Sequence, residues 1–473
     1  MTQQSANRPA AEALFHQSNA QLAAGELAAA EECLQQALAL QNDFAEAHAN
    51  LAWLLEQRGD QVGAEQAYRQ AIALDAQPQM HINLGALLAD QLRSDEAETH
   101  YRSALSLDPS NPAAWSNLGA LLACQRRDDE AEECYRLALA YDPDHRSAHF
   151  NLSYLLLRAG RFEEGWQHFE KRDWYAQLAQ HIDCPQWQGK PLTGKSVLIG
   201  IEAGQGDMIQ FCRYAQLLKA RGAGHISLLC HPALQRLLEG AAGVDAALPI
   251  DQPLPVGEWD VWTPLLSIPY HCQTRIDSIP DTLPYLHADE TDIAYWAQRM
   301  KTLAGEATLR VGLAWRGNPR FENDAQRSLP SVATLQSLGD VTGVTFFSLQ
   351  KGAGEDEATS PPAGLTLHDL APFLHDFADT AAVVMNLDLV ICVDTALAHL
   401  AGALGKPCWI LLPDYKTDWR WLEQRSDSPW YPHVIRLFRQ SAARDWSEVV
   451  RSLRHALANH VAAVHDGDSR NAP

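Results

Sequence analysis

Small and apolar residues recur through the first third of the chain with a period close to 34. Asn50-Leu51-Ala52 returns as Asn83-Leu84-Gly85, Asn117-Leu118-Gly119 and Asn151-Leu152-Ser153, at offsets of 33, 34 and 34 residues. Thirteen residues after each Leu stands Ala64, Ala97, Ala131 or Gly165, and four further on Tyr68, Tyr101, Tyr135 or Phe169. Ala71, Ala104 and Ala138 follow in register, and Asp108-Pro109 and Asp142-Pro143 close two of the units. A weaker copy over about 11–44 keeps Gly25, Ala30, Ala37 and Leu40 in place. The pattern predicts pairs of antiparallel helices. Small residues let the helices approach, Leu and aromatic residues fill the seam, and Pro opens the next helix. Stacked pairs leave a concave groove suited to a peptide or a partner protein.

After residue 196 the pattern changes to buried strands alternating with helices. Strands are expected at Val197–Ile201, Ile226–Cys230, Ala246–Pro249 and Val261–Leu265, with helices at Met208–Ala220 and Pro232–Leu238. A Pro-rich passage, 276–289, reads as a connection. A second run has strands at Leu309–Trp315, Val344–Leu349, Leu387–Val393 and Cys408–Leu412. Its helices fall near Val332–Leu338, Asp379–Met385, Thr395–Leu404 and Trp446–Ala458. Two successive parallel α/β runs imply two Rossmann-like domains facing across a cleft. The expected division is repeats over 1–170, a linker over 171–195, and α/β domains over 196–289 and 290–473. Gly189–Ser196 spells a Walker A loop, but the apolar strand follows it instead of preceding it. It therefore reads as a turn.

Asp394-Thr395-Ala396-Leu397-Ala398-His399-Leu400-Ala401, continued by GALGKPCWILLP, resembles the DTxxxHxAxALGxP segment of heptosyltransferase-type glycosyltransferases of the GT-B fold. Gly204-x-Gly206-Asp207 after the first α/β strand resembles the GxGD turn of their acceptor domain. The resemblance covers roughly 196–460. With the repeats, the layout is similar to bacterial tetratricopeptide-repeat glycosyltransferases and, in outline, to O-GlcNAc transferase. The run DWRWLEQRSDSPWYPHVIRLFRQ, 418–440, looks like that bacterial group. The fold implied is a tetratricopeptide-repeat helical solenoid followed by a GT-B module, α plus α/β.

The resemblance implies transfer of a sugar from a nucleotide-sugar, with inversion, to an acceptor hydroxyl. The leaving diphosphate needs positive potential. Asp394 ends a strand and Thr395 opens a helix, so amides near Thr395 and Ala396 offer an anion site, with His399 on the same face. The alternative is that Asp394 and Thr395 cap the helix while His399 packs inside. Trp315, Arg316, Gly317 and Asn318 follow the first strand of the second run, at the family's donor position. Arg327 and Ser328 supply a cation and a hydroxyl, and Gln350 and Lys351 close the next strand. Asp376, Asp379 and Thr380 match the family's segment before the DT strand or cap their helix. Asp207 is the candidate general base, or an N-terminal cap of the helix it opens. Ala396, Gln205 and Met208 stand where the family commonly has Gly, Leu and Thr. Asn50, Asn83, Asn117 and Asn151 either form a ladder to an acceptor peptide's backbone or bond to neighbouring turns.

Composition narrows the partners. Thirty-seven basic against 59 acidic residues leave a net charge of −22, which argues against nucleic acid or an anionic membrane. No apolar run reaches the roughly 20 residues of a membrane span. Nine cysteines without a CxxC pair, and an N-terminus lacking basic and apolar signal regions, predict a cytoplasmic protein with reduced thiols. The Asp142/Asp144 pair falls in a repeat turn and Asp466/Asp468 in a polar tail; no metal or other cofactor is expected. The expected partners are a nucleotide-sugar and a protein or peptide acceptor, and self-association stays open. Two rivals remain: a repeat scaffold with a retired GT-B module, and transfer to a saccharide or lipid-linked acceptor.

Overall fold

The computed structural model describes residues 3–255, 257–304, 309–321, 323–441 and 445–470. Contacts divide the chain into two compact units, 1–155 and 156–473. The first is an antiparallel helix array: Gln3–Ala23, Leu27–Leu40, Ala45–Gln57, Gln61–Leu74, Pro78–Asp90, Ser94–Leu107, Pro112–Cys124, Asp128–Tyr141 and the helix starting at Arg146. Pro78 and Pro112 stand in the first turns, where their missing N–H costs nothing, and Asn111 caps Ala114 N at 3.0 Å. The periodic small residues have a steric cause. A Cβ on Gly85 would lie 2.7 Å from the Tyr101 ring, and one on Gly119 equally close to Tyr135. Arg93 bridges Glu65 and Glu96, each at 2.7 Å, and Arg127 repeats this with Glu98 and Glu130 at 2.6 and 2.7 Å. The acidic run at 128–133 is therefore laced into surface ion pairs.

The helix Phe162–Phe169, the second half of the last repeat in sequence, belongs to the second unit. Its buried Phe162, Trp166 and Phe169 explain this: Trp166 donates to Thr274 O at 3.0 Å and lies edge-on to Trp419, centroids 5.2 Å apart. Next, Tyr175, Leu178 and Ile182 cover Leu198 and Trp262 of the first sheet. Gly194 N bonds Gly222 O and Lys195 N bonds Leu192 O, so the Walker-like spelling is a turn leading into a strand.

That strand is β1 (Ser196–Gly200), followed by β2 (His225–Cys230), β3 (Ala246–Pro249) and β4 (Val261–Pro264). They form a parallel sheet in the order β3-β2-β1-β4. A second parallel sheet comprises β5 (Leu309–Ala314), β6 (Val344–Ser348), β7 (Leu367–Asp369), β8 (Leu389–Val393), β9 (Cys408–Leu412) and β10 (Ile435–Arg439). Its order is β10-β9-β8-β5-β6-β7. Two strands lie outside the sequence expectation. β7 has only three residues, and β10 is hidden in a run whose Arg residues break its apolar signal. The segment expected as a helix near 332–338 is 3₁₀, and the closing helix runs from Ser447 to Arg470, taking in the stretch read as a polar tail. The side chains of Asp466 and Asp468 lie outside the described residues.

Candidate active site

Strand order locates the site. In each sheet the order reverses beside the first strand, between β1 and β4 and between β5 and β8. Open parallel sheets bind ligands outside the carboxyl ends of strands at such switch points. The GQGD turn follows β1, Trp315–Asn318 follows β5, and Asp394-Thr395 follows β8. The two switch points also face each other. A Cβ on Gly206 would lie 3.0 Å from His399 Cδ2 and 3.3 Å from Ala396 Cα.

Thr395 is the N-cap of the helix Ala396–Ala403, yet its side chain makes no cap hydrogen bond. The hydroxyl is buried without a hydrogen-bond partner. Such an atom is costly unless something else satisfies it. Burial lifts the Asp394 carboxyl to about 6; Asp418 adds to the rise while Arg327 and Arg420 oppose it.

The loop after β5 is braced from within. Gly317 N donates to Ser328 Oγ at 2.8 Å, and that hydroxyl donates to Asp324 Oδ1 at 2.9 Å. Arg327 Nε reaches the same oxygen at 3.2 Å, with its guanidinium over the Phe321 ring. Arg327 therefore stands beside both Gly317 and Asp394. Asn318 caps Arg320 N at 3.0 Å, so its side chain shapes the loop. The Arg316 guanidinium is directed to Glu357 at 2.8 Å and to Pro330 O. Gln350 is buried, and its carbonyl accepts from Trp315 N at 2.8 Å and Arg316 N at 2.9 Å. Its amide donates to the carbonyls of Arg316, Lys351 and Ala353. Gln350 thus acts as a brace for the β5 loop. Lys351 donates to Ala371 O at 2.8 Å and pairs with Glu355. Asp376 caps Asp379 N, and Asp379 pairs with Arg236 at 2.8 Å.

His399 is buried, with Nδ1 2.8 Å from Tyr431 Oη and its ring stacked on Trp421 at 5.2 Å. Burial, with Arg420 and Arg213 nearby, holds its pKa well below the ordinary histidine value. Its ring is held between Tyr431 and Trp421.

Asp207 occupies the third position of the helix Gln205–Phe211, and its Oδ2 accepts from Gly204 N at 2.8 Å. Its Oδ1 accepts from Arg420 of the second half. Arg420 and Asp418 belong to no family motif that marks them in the sequence. Their only signal was a cation between two tryptophans in an unusual run. Another missed pair supports the turn from behind: buried Arg172 and Glu202 meet at 2.9 Å, and Glu202 also accepts from Leu266 N.

In the first unit, half-buried Asn50 donates to Asn19 Oδ1 at 2.7 Å, and Asn83 accepts from Gln79 Nε2 at 2.7 Å. Asn117 and Asn151 are also half-buried. Asp142 accepts from Asp144 N, a local turn contact. Among the described residues, no group of three His, Cys, Asp or Glu side chains could hold a metal, and no helix is long and apolar enough to cross a membrane.

Known proteins match both parts of the chain. The tetratricopeptide repeat family matches over residues 7–80, 78–111 and 112–145. Glycosyltransferase family 9 (heptosyltransferase) matches over 335–411, which includes Asp394–His399 but stops short of the GQGD turn and the β5 loop. Protein FlbA of Caulobacter vibrioides is 26% identical over 334 residues, covering 65% of this chain and 54% of its own. The chain thus spans about half the length of that curated relative. Among solved structures, PilF of Pseudomonas aeruginosa aligns at 20% identity and a TM-score of 0.36, over 46% of this chain and 87% of its own. YrrB, described as a repeat protein with an unusual peptide-binding site, aligns at 19% and 0.30, over 36% and 91%. The chain carries tetratricopeptide repeats through its N-terminal part and a glycosyltransferase family 9 (heptosyltransferase) segment within its second unit.

Proposed function

We propose that the protein transfers a sugar from a nucleotide-sugar to an acceptor hydroxyl, on a protein or peptide recruited by the repeats, without a metal. The observation that carries this reading is the unpartnered Thr395 hydroxyl at a helix N-terminus on the β5/β8 switch point, with Arg327 and Arg420 close by. Helix amides and two guanidiniums favour the diphosphate as it takes up charge. The acceptor oxygen attacks the anomeric carbon from the face opposite the diphosphate. The carbon–oxygen bond to the diphosphate breaks, its electron pair leaves with that group, and Asp207 takes the hydroxyl proton. Configuration is inverted.

Calorimetry against UDP-, GDP-, ADP- and dTDP-sugars tests the donor site. One donor should bind, and Thr395→Glu should abolish binding by placing a carboxylate among the phosphates. Silence across the panel would refute the reading. A second reading, a scaffold with a retired module, draws on the neutral, enclosed His399 and the close packing of Gly206 on Ala396. Asp207→Asn separates the two. Lost transfer with retained donor binding favours the enzyme, whereas unchanged turnover removes Asp207 from the chemistry.

A further inference from the structure

Arg420 lies in the short turn Trp419–Trp421, its side chain only 7% exposed and its guanidinium 4.4 Å above the Trp419 ring. Nε donates to Gln210 Oε1 at 2.7 Å, Nη1 to both Asp418 oxygens at 3.0 Å, and Nη2 to Asp207 Oδ1. Asp207 and Gln210 are three apart on one helix, so a single guanidinium grips one face of it. Resting on the reading of Asp207 as the base, we infer that Arg420 is its positioning residue, a cation from the second half that fixes the carboxylate of the first at the junction of the two switch points.

Helix capping alone does not account for this arrangement. The cap uses Oδ2 and Gly204 N and needs no help from a cation. Burying an arginine to hold the other oxygen carries a desolvation penalty that packing would avoid. What the second contact adds is orientation. With a donor on each oxygen the carboxylate plane is set, and each oxygen keeps a lone pair for an incoming hydroxyl. The Arg420 contact ties the base to the half proposed to bind the donor.

Charge supports the geometry. Burial raises the Asp207 carboxyl above its ordinary range, Asp418 adds to the rise, and Arg420 opposes it. The groups around it are Arg420 and Asp418 on that turn, neutral His399 on the helix packed against Gly206, Asp394 and Arg327 beyond it, and Arg213 after its own helix.

The test follows the Asp207 carboxyl directly, by ¹³C NMR titration of the full chain labelled at aspartate Cγ, with Asp207→Asn assigning the signal. Arg420→Gln should move its midpoint up by about one pH unit or more, because an opposite charge at this range is worth about 1–3 units. Asp418→Asn, which retains the turn's acceptor, should move it down. Arg420→Lys should leave the midpoint near wild type but lower kcat, since the fork geometry is lost. In transfer assays the acid limb of kcat/KM should shift in the same directions. An unmoved midpoint in Arg420→Gln, or a shift of the same sign in Asp418→Asn, overturns the inference. If Arg420→Gln fails to fold, the Lys and Asp418 variants still decide it. Absence of transfer and donor hydrolysis by wild type counts against the enzyme reading alone, because the NMR shift needs no turnover.

Discussion

Asp394 should make the second unit less stable as the solution turns neutral. Its folded pKa of about 6 exceeds the ordinary 3.8. Between those values the folded chain keeps a proton that the unfolded chain has released, so stability falls as pH rises from about 4 to 6. Above 6 the penalty is fully present. The difference of 6 − 3.8 = 2.2 units, at 1.36 kcal/mol each, sets it at about 3 kcal/mol. Asp394→Asn keeps the shape and removes the charge. Urea unfolding followed by tryptophan fluorescence should show the variant more stable than wild type by up to about 3 kcal/mol at pH 7.5. Near pH 3, below both midpoints, the two should converge. The same substitution should weaken any pH dependence of donor binding, since an ionised Asp394 repels phosphate. A variant no more stable at pH 7.5, or a difference constant from pH 4 to 7.5, would refute the electrostatic account.

Two other perturbations follow from packing. Glu202→Gln removes the buried charge partner of Arg172, leaving it only Glu170 at 2.8 Å, and should cost about 3 kcal/mol in urea unfolding, a loss absent from a variant of the exposed Glu448. Gly85→Val adds atoms where a Cβ already falls 2.7 Å from Tyr101. It should cost about 1–3 kcal/mol and loosen the helix pair, seen as lost helical circular dichroism at lower temperature than wild type.

The repeats were legible because their packing is local and periodic: Gly85 and Gly119 sit beneath Tyr101 and Tyr135 for the same steric reason, 34 residues apart. Eight of the ten strands among the described residues could be read from apolar runs, since parallel strands buried on both faces need little else. β7 and β10 could not, because an edge strand of three residues and one carrying Arg436 and Arg439 obey the sheet's register more than any local preference. The place where the two compact units divide was also hidden. Nothing local to Phe162 or Trp166 tells that their partners are Trp419 and Thr274, more than 100 residues away.

The site divides along the same line. Residues fixed by a strand end and a helix start, such as Asp394, Thr395 and Asp207, could be placed from sequence because the turn itself dictates their position. Side chains whose task depends on a distant partner could not. Gln350 looks like a ligand contact in sequence, but five hydrogen bonds to backbone make it the brace of the β5 loop. Arg420 looks like one cation in an odd run, yet it reaches 213 residues back to Asp207. Parallel sheets deliver their strand ends to one crevice, and that is visible in strand order. What holds the crevice's charges in place comes from long-range pairs, and those exist only after the two halves have met.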